Sequence, residues 1–437
     1  MEQTRQRLKQ AAAQYIEAHR NELIEHGRAL YAMPETGFRE ERTSAYVRSV
    51  LASYGLAVQH PLALTGFRAR AEGRAHGINV GVMGELDALI VPSHRRADPE
   101  TGFCHACGHH AQLTTLLGTA LGLVRSGILS ELDGDVTFLG VPAEEVIELD
   151  YRRSLIRAGR ICRASGKQEF IRLGEFDDID ISVMQHSAVR APGFKAGATS
   201  VCNGFTVKLI NYKGKAAHAG AAPFEGVNAL NAAMLGLMAM HAQRETFRDE
   251  DHIRVHPIIT KGGDIVNTVP ADVRLETYVR GSNTDAIMSA SEKVNRAFRA
   301  GGDAVGAGCE IIELPGYLPV VQCEPLNDLM FEELKALVGD EVMKVCPGFG
   351  GGSTDQGDVS HLMPSIQSYC AGVSGGLHSK DFCMKDKELT MLTAAKAMLC
   401  LVIELLYDGA AAGKKVKEGF KPVLTKEQYL REWGRLE

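Results

Sequence analysis

Three short apolar runs restrict what this chain can fold into. Ile78–Gly84, Asp135–Val141 and Ile179–Met184 are too continuously apolar for half-exposed strands, and their length suits central strands covered on both faces. Each run delivers polar chemistry at its C-terminal end: Glu85 and Asp87, then Glu144 and Glu145, then Gln185 and His186. Open α/β sheets bind ligands outside those ends. That the pattern occurs three times is stronger evidence for a site than any single motif.

Between the first two runs lies Phe103-Cys104-His105-Ala106-Cys107-Gly108-His109-His110, two thiols and three imidazoles within eight residues. Soft sulfur and imidazole nitrogen suit a zinc-like ion, and Gly108 lets the backbone bend so that Cys107 and His109 both point inward. A helix predicted over Leu113–Val124 puts the cluster near a helix N-terminus, which favours thiolate over thiol. The alternative is a buried cysteine cluster among ordinary core histidines. Farther on, Gly372–His378 places one more histidine on a glycine-rich loop.

Cys107, His109, Glu145, His186 and His378 together offer one thiolate, one carboxylate and three imidazoles, a set that suits two metals sharing a bridge. A dinuclear site polarises a carbonyl and lowers the pKa of bound water from 15.7 toward about 7, which makes amide hydrolysis feasible. Glu144 fits the proton shuttle that such a reaction needs. An isolated Glu-Glu pair is usually solvated surface; its position at the end of an apolar strand reverses that expectation.

A chain of 437 residues has the length of two or three domains. Its 48 basic and 54 acidic residues give a net charge of -6 and no general reason to bind nucleic acid or an anionic membrane, so neither partner is expected. The ten cysteines are scattered and read as mostly reduced. The N-terminus lacks the apolar region of a secretory signal and no window reads as a membrane span, so the cytoplasm is the default location.

Helices are predicted over Glu2 to about His26 and over Glu40–Tyr54. Beyond Cys202 the texture changes, with strands at Phe205–Asn211, Ile253–Thr260, Val273–Val279 and Cys309–Leu314 and helices at Val227–Ala242 and Ala286–Ala300. That β-α-β-β-α-β order is the split arrangement of a ferredoxin-like unit, inserted at 202–316. The α/β texture then returns: a helix at Pro325–Val338, a glycine-rich loop at Gly348–Asp355, a strand at Ser365–Cys370 and a helix at Leu389–Tyr407. The lysine-rich tail beyond Gly409 reads as a solvated extension.

GELDAL (84–89), CHACGHH (104–110), PAEE (142–145), GKAAHAGAAPFEGVNAL (214–230), NTVP (267–270) and LHSKDF (377–382) resemble the aminoacylase/carboxypeptidase family of dinuclear metallohydrolases. The likeness is closest to the amidohydrolase branch that contains aminobenzoyl-glutamate and auxin-conjugate hydrolases. It implies a doubly wound mixed-sheet α/β catalytic domain of zinc-exopeptidase type, formed by residues 1–201 and 317–437, with the 202–316 ferredoxin-like domain as a lid through which subunits form a homodimer. It also implies two divalent ions on Cys107, His109, Glu145, His186 and His378, with Glu144 as general acid/base. His218 resembles the histidine that reaches a neighbouring subunit's site and stabilises the oxyanion; Asn267 and Arg280 resemble residues that hold the substrate carboxylate.

The implied activity is hydrolysis of an N-acyl or N-aroyl amino acid, or of a dipeptide-like amide, by metal-bound hydroxide. Thiolate softness favours zinc, while the resemblance also allows manganese, nickel or cobalt. Rival readings are an aminopeptidase or dipeptidase of the same fold and a catalytically silent small-molecule-binding homologue. Three positions depart from the branch's common pattern: His110 stands where Asp is usual, Gln112 where a second histidine is frequent, and Glu85 where Asp is commoner. His110 could be a ligand, a group that orients one, or a pocket wall. Asp87 could orient a ligand imidazole.

Overall fold

The continuous burial expected of the central runs is met: every residue of the strands Asn79–Glu85 and Asp135–Val141 is buried. The computed structural model, which describes residues 2–346 and 351–433, places both in a nine-stranded mixed sheet among the described residues. Its order is Val58–Leu62, Gly66–Ala71, Asp135–Val141, Asn79–Glu85, Ile181–Val189, Ser365–Ser374, Ala196–Thr199 and Val342–Val345, with Cys383–Met384 pairing to Ser365–Ser374. The four central strands are parallel, and antiparallel pairs flank them. Register pairs Glu85 with Val141. Glu85 and the Pro142–Glu145 segment therefore leave the sheet side by side.

The helix His109–Ala120 packs on Asn79–Glu85 and Ile181–Val189, and all of its residues are buried. It presents no face to solvent because it lies between the sheet and the helices Arg20–Tyr31 and Ala394–Gly419. The chain divides into two units. One comprises residues 2–201, 321–346 and 358–428; the other comprises 202–320, 351–357 and 429–433.

In the second unit the strands Gly308–Pro315, Gly204–Lys213 and Asp272–Gly281 lie side by side, and the short strands Arg254–Val255 and Ile258–Lys261 both pair with Asp272–Gly281. All pairings are antiparallel. This is the ferredoxin-like order with its second strand in two pieces. The break falls at His256-Pro257, where proline has no N–H to give the ladder. The helices Ala229–Ala242 and Thr284–Asp303 pack on each other and on this sheet, and Asn228 and Asn283 cap their N-termini through their side-chain oxygens.

Several expectations change. The first helix is two, Glu2–Ala18 and Arg20–Tyr31, broken at His19, whose Nδ1 lies 2.8 Å from Tyr15 O. Residues beyond Gly409 are not a solvated extension: the helix resumes to Gly419 after left-handed residues at 408–410, and Tyr429 and Trp433 are buried. The run Glu388–Gly419 is long and apolar enough to cross a membrane, contrary to the reading that no window is; 89% of its most apolar window is buried inside the fold. Of the glycine-rich loop read at 348–355, residues 348–350 lie outside those described.

Candidate metal centre

The loop Cys104–Gly108 enters the central helix through Gly108, whose φ of +109° is open to glycine. A Cβ there would also stand 2.9 Å from Ser187 Oγ. This turn aims Cys107 and His109 at the ends of the central strands. Cys107 Sγ lies 3.3 Å from His186 Nε2. His109 Nε2 lies 3.1 Å from Glu85 Oε2 and 3.9 Å from Glu144 Oε2, and His378 Nε2 lies 3.0 Å from Glu145 Oε1.

Among the described residues, three groups have ligand atoms within 4.8 Å of one another: Cys107, His109 and His186; Cys107, Glu145 and His378; and Glu85, His109 and Glu144. Cys107 belongs to the first two, so it stands where two half-sites meet. All five residues read as ligands, and Glu144, are thus gathered in one unit.

Their supports are built in. His109 Nδ1 faces Asp87 O at 2.9 Å and Asp87 Oδ1 at 3.1 Å, which turns Nε2 toward the cluster; His186 Nδ1 is held in the same way by Ser187 O at 2.8 Å. Asp87 Oδ2 accepts the Glu145 N–H at 2.8 Å, so one buried carboxylate orients ligands from two loops. Glu85 is engaged on both oxygens, by Lys167 Nζ at 2.5 Å and by Gln112 Nε2 at 3.1 Å. Glu85, Gln112 and Lys167 are at most 1% exposed. The departures at 85 and 112 therefore pair with each other, and the sequence reading missed Lys167, which lies in no motif.

Burial by itself would raise the Cys107 thiol, but the His109 and His186 imidazoles hold it well below its ordinary value. Burial would lower both imidazoles, and the Cys107 thiolate raises them instead. His378 behaves similarly: burial acts downward, and Glu145 with Cys107 lifts it to about 11. A divalent cation would supply the positive charge that the thiolate and carboxylate favour on these imidazoles. The donor set fits such an ion, because the buried His109 Nε2 and Glu145 Oε1 atoms have no hydrogen-bond partner.

His110 belongs to none of the three groups. Its ring packs against Tyr31, with centroids 4.8 Å apart, and against His105 at 5.1 Å, and burial keeps it well below the ordinary imidazole value.

The other predicted site residues lie in the second unit. His218 is exposed, with Nδ1 accepting the Gly220 and Ala221 N–H groups, and bridges to Thr268 beside Asn267, whose carbonyl accepts the Ala219 N–H at 2.9 Å. Arg280, near the end of its strand, donates to Ser353 Oγ at 2.7 Å, with its guanidinium 5.0 Å from the Phe205 ring centre and 5.3 Å from that of Tyr278.

Residues 203–304 match the M20 peptidase dimerisation domain. The chain is 29% identical to a Mus musculus Xaa-Arg dipeptidase, over 97% of this chain and 94% of that one. It is 25% identical to an N-acyl-L-amino acid amidohydrolase from Geobacillus stearothermophilus, over 72% of this chain and 81% of the relative. Among solved structures, a Bacillus subtilis dinuclear metal-binding peptidase of the M20 family superposes with a TM-score of 0.66 at 21% identity, over 89% of this chain and 99% of that one. The chain is similar to such hydrolases along nearly its whole length and carries an M20 peptidase dimerisation domain. It acts on amide bonds as M20 metallohydrolases do, and the mixed-sheet fold inferred from its motifs is the M20 fold.

Proposed function

We propose that this chain hydrolyses N-acyl or N-aroyl amino acids, or dipeptide-like amides, with Glu144 as general base and then general acid. The observation that carries this reading is the position of the Glu144 carboxylate: 7% exposed and 3.9 Å from His109 Nε2, it faces the cluster of donor atoms rather than solvent. Cys107, His109, Glu145, His186 and His378 would hold two divalent ions, zinc by thiolate softness or manganese, nickel or cobalt. When bound, such ions supply carbonyl polarisation and a water acidic enough to lose its proton near neutrality. Glu144 takes that proton and returns it to the amine leaving group.

In the second unit, Arg280 and Asn267 are proposed to hold the substrate carboxylate, a task suited to a planar guanidinium. His218 is proposed to donate to the oxyanion in the site of a partner subunit, with the chain a homodimer through this unit. The dimerisation-domain match supports that assembly, as do Phe224, Met238 and Val266, which present exposed apolar side chains.

The Mus musculus relative, named for a dipeptidase, favours a second reading with a free α-amine in the substrate. Parallel assays of N-acyl amino acids and of free dipeptides, Xaa-Arg among them, separate the two. Preferential cleavage of acylated substrates supports the first reading; cleavage confined to free dipeptides selects the second.

A further inference from the structure

The Pro142–Glu148 segment carries both Glu144 and Glu145, yet contains no glycine, and two of its residues, Ala143 and Glu148, have left-handed backbones with φ of +55° and +52°. Something outside the segment has to hold it there. Arg152, only 1% exposed, fills that position. Its Nε donates to Ile147 O at 2.9 Å, Nη1 donates to Ala143 O at 3.3 Å and to Ala164 O, and Nη2 donates to Glu145 O.

Three of these four carbonyls lie within the segment, on either side of and at the two carboxylates. From the other side, Glu40 Oε1 accepts the Ala143 N–H at 2.8 Å, and Arg39 Nη1 binds Glu148 through both oxygens at 2.6 and 2.7 Å. The space is closed. A Cβ on Gly37 would stand 2.7 Å from Arg152 Nη2 and 2.8 Å from Ala143 Cβ.

We infer that Arg152 is a positioning residue for the reaction: its planar guanidinium gathers the Ala143, Glu145 and Ile147 carbonyls and so fixes the directions of the Glu144 and Glu145 side chains. Only a fork of five donors spans acceptors on several sides; an ammonium on a flexible stem makes point contacts. The catalytic part of this inference rests on the proposed role of Glu144. The part concerning Glu145 stands on the geometry of the cluster.

The test uses the full-length chain and two readouts, steady-state hydrolysis of an N-acyl amino acid and calorimetric titration of metal-stripped protein with Mn²⁺ or Zn²⁺. Arg152→Met is expected to lower kcat roughly 10–100-fold with little change in KM, and to weaken one of two metal equivalents by a similar factor, the usual loss when a group that orients a ligand is removed. A folded Arg152→Met protein with wild-type kcat and both metal affinities unchanged overturns the inference. Where that variant does not fold, Arg152→Lys and Gly37→Ala carry the test, since one keeps the charge without the fork and the other displaces the guanidinium without removing it. Losses of kcat or of one metal affinity in both support the inference, and wild-type values in both overturn it. Absence of any amide hydrolysis by the wild type sinks the proposed function alone; the titration still decides whether Arg152 acts on Glu145.

Discussion

The loops that bring Glu145 and His378 to within 3.0 Å of each other are built in opposite ways. The Glu145 loop is closed in by Arg152, Glu40, Asp87 and Arg39, and the Glu145 side chain is 11% exposed. His378 sits on a glycine-rich turn with its side chain 51% exposed and a φ of +58°. Its N–H donates to Ala106 O at 2.8 Å, its tie to the Cys/His loop. A left-handed non-glycine residue costs of the order of 1–3 kcal/mol, so both loops are strained, and charged side chains enclose the Glu145 loop. Both loops serve one group of donors, so one wall of that group is rigid and the other adaptable, and Cys107 links it to the group with His109 and His186.

The largest effect is expected on the rigid loop. Glu144→Gln removes the proton shuttle and lowers kcat by about 10²–10⁴-fold, the range typical of general acid–base groups, with metal content unchanged by elemental analysis. Wild-type turnover in that variant removes Glu144 from the reaction.

Next comes a direct contrast of ligands. Cys107→Ala is expected to weaken both metal equivalents, because its sulfur serves both groups of donors, whereas His378→Ala is expected to weaken one and spare the other. Titration of the two metal-stripped variants with Zn²⁺ checks this; equal stoichiometry and affinity in both would erase the distinction between a shared and an unshared ligand.

The smallest effect concerns the brace itself. Burial, with the neighbouring Asp87 charge adding to it, pushes the Glu40 carboxyl from its ordinary 4.5 up to about 8. The folded chain thus keeps a proton that the unfolded chain releases. Stability from this group is fully present below about pH 4.5 and is lost as the pH rises through about 8. Glu40→Gln is expected to flatten that part of the Tm-against-pH curve; an unchanged slope would show that Glu40 does not contribute to it.

How much of this was legible depended on what holds each part. The central strands announce themselves because a strand covered on both faces is apolar at every position. The edge strands do not: Val58–Leu62 includes the Gln59-His60-Pro61 stretch and is mostly exposed, and Ala196–Thr199 is a run of small residues whose strand character comes from its neighbours. The broken strand at Pro257 could be seen in outline but not in detail.

The site divides along the same line. Ligand types and spacing pointed to Cys107, His109, Glu145, His186 and His378 before any geometry was known. Arg152 was invisible because it stands beside Arg153 on a helix where either could face water, and only packing buries the first. Lys167 was hidden likewise, being a lone lysine that becomes fully buried through its contact with Glu85.

The central claim is that two divalent ions are held by the donors gathered around Cys107 and that amide hydrolysis depends on them. It is tested most directly by measuring bound metal per chain together with hydrolysis of N-acyl amino acids, before chelation and after stepwise restoration of Zn²⁺ or Mn²⁺. Two equivalents per chain, with activity lost on chelation and returning as the second equivalent binds, is the predicted result. Undiminished hydrolysis by a chain stripped of metal would contradict it.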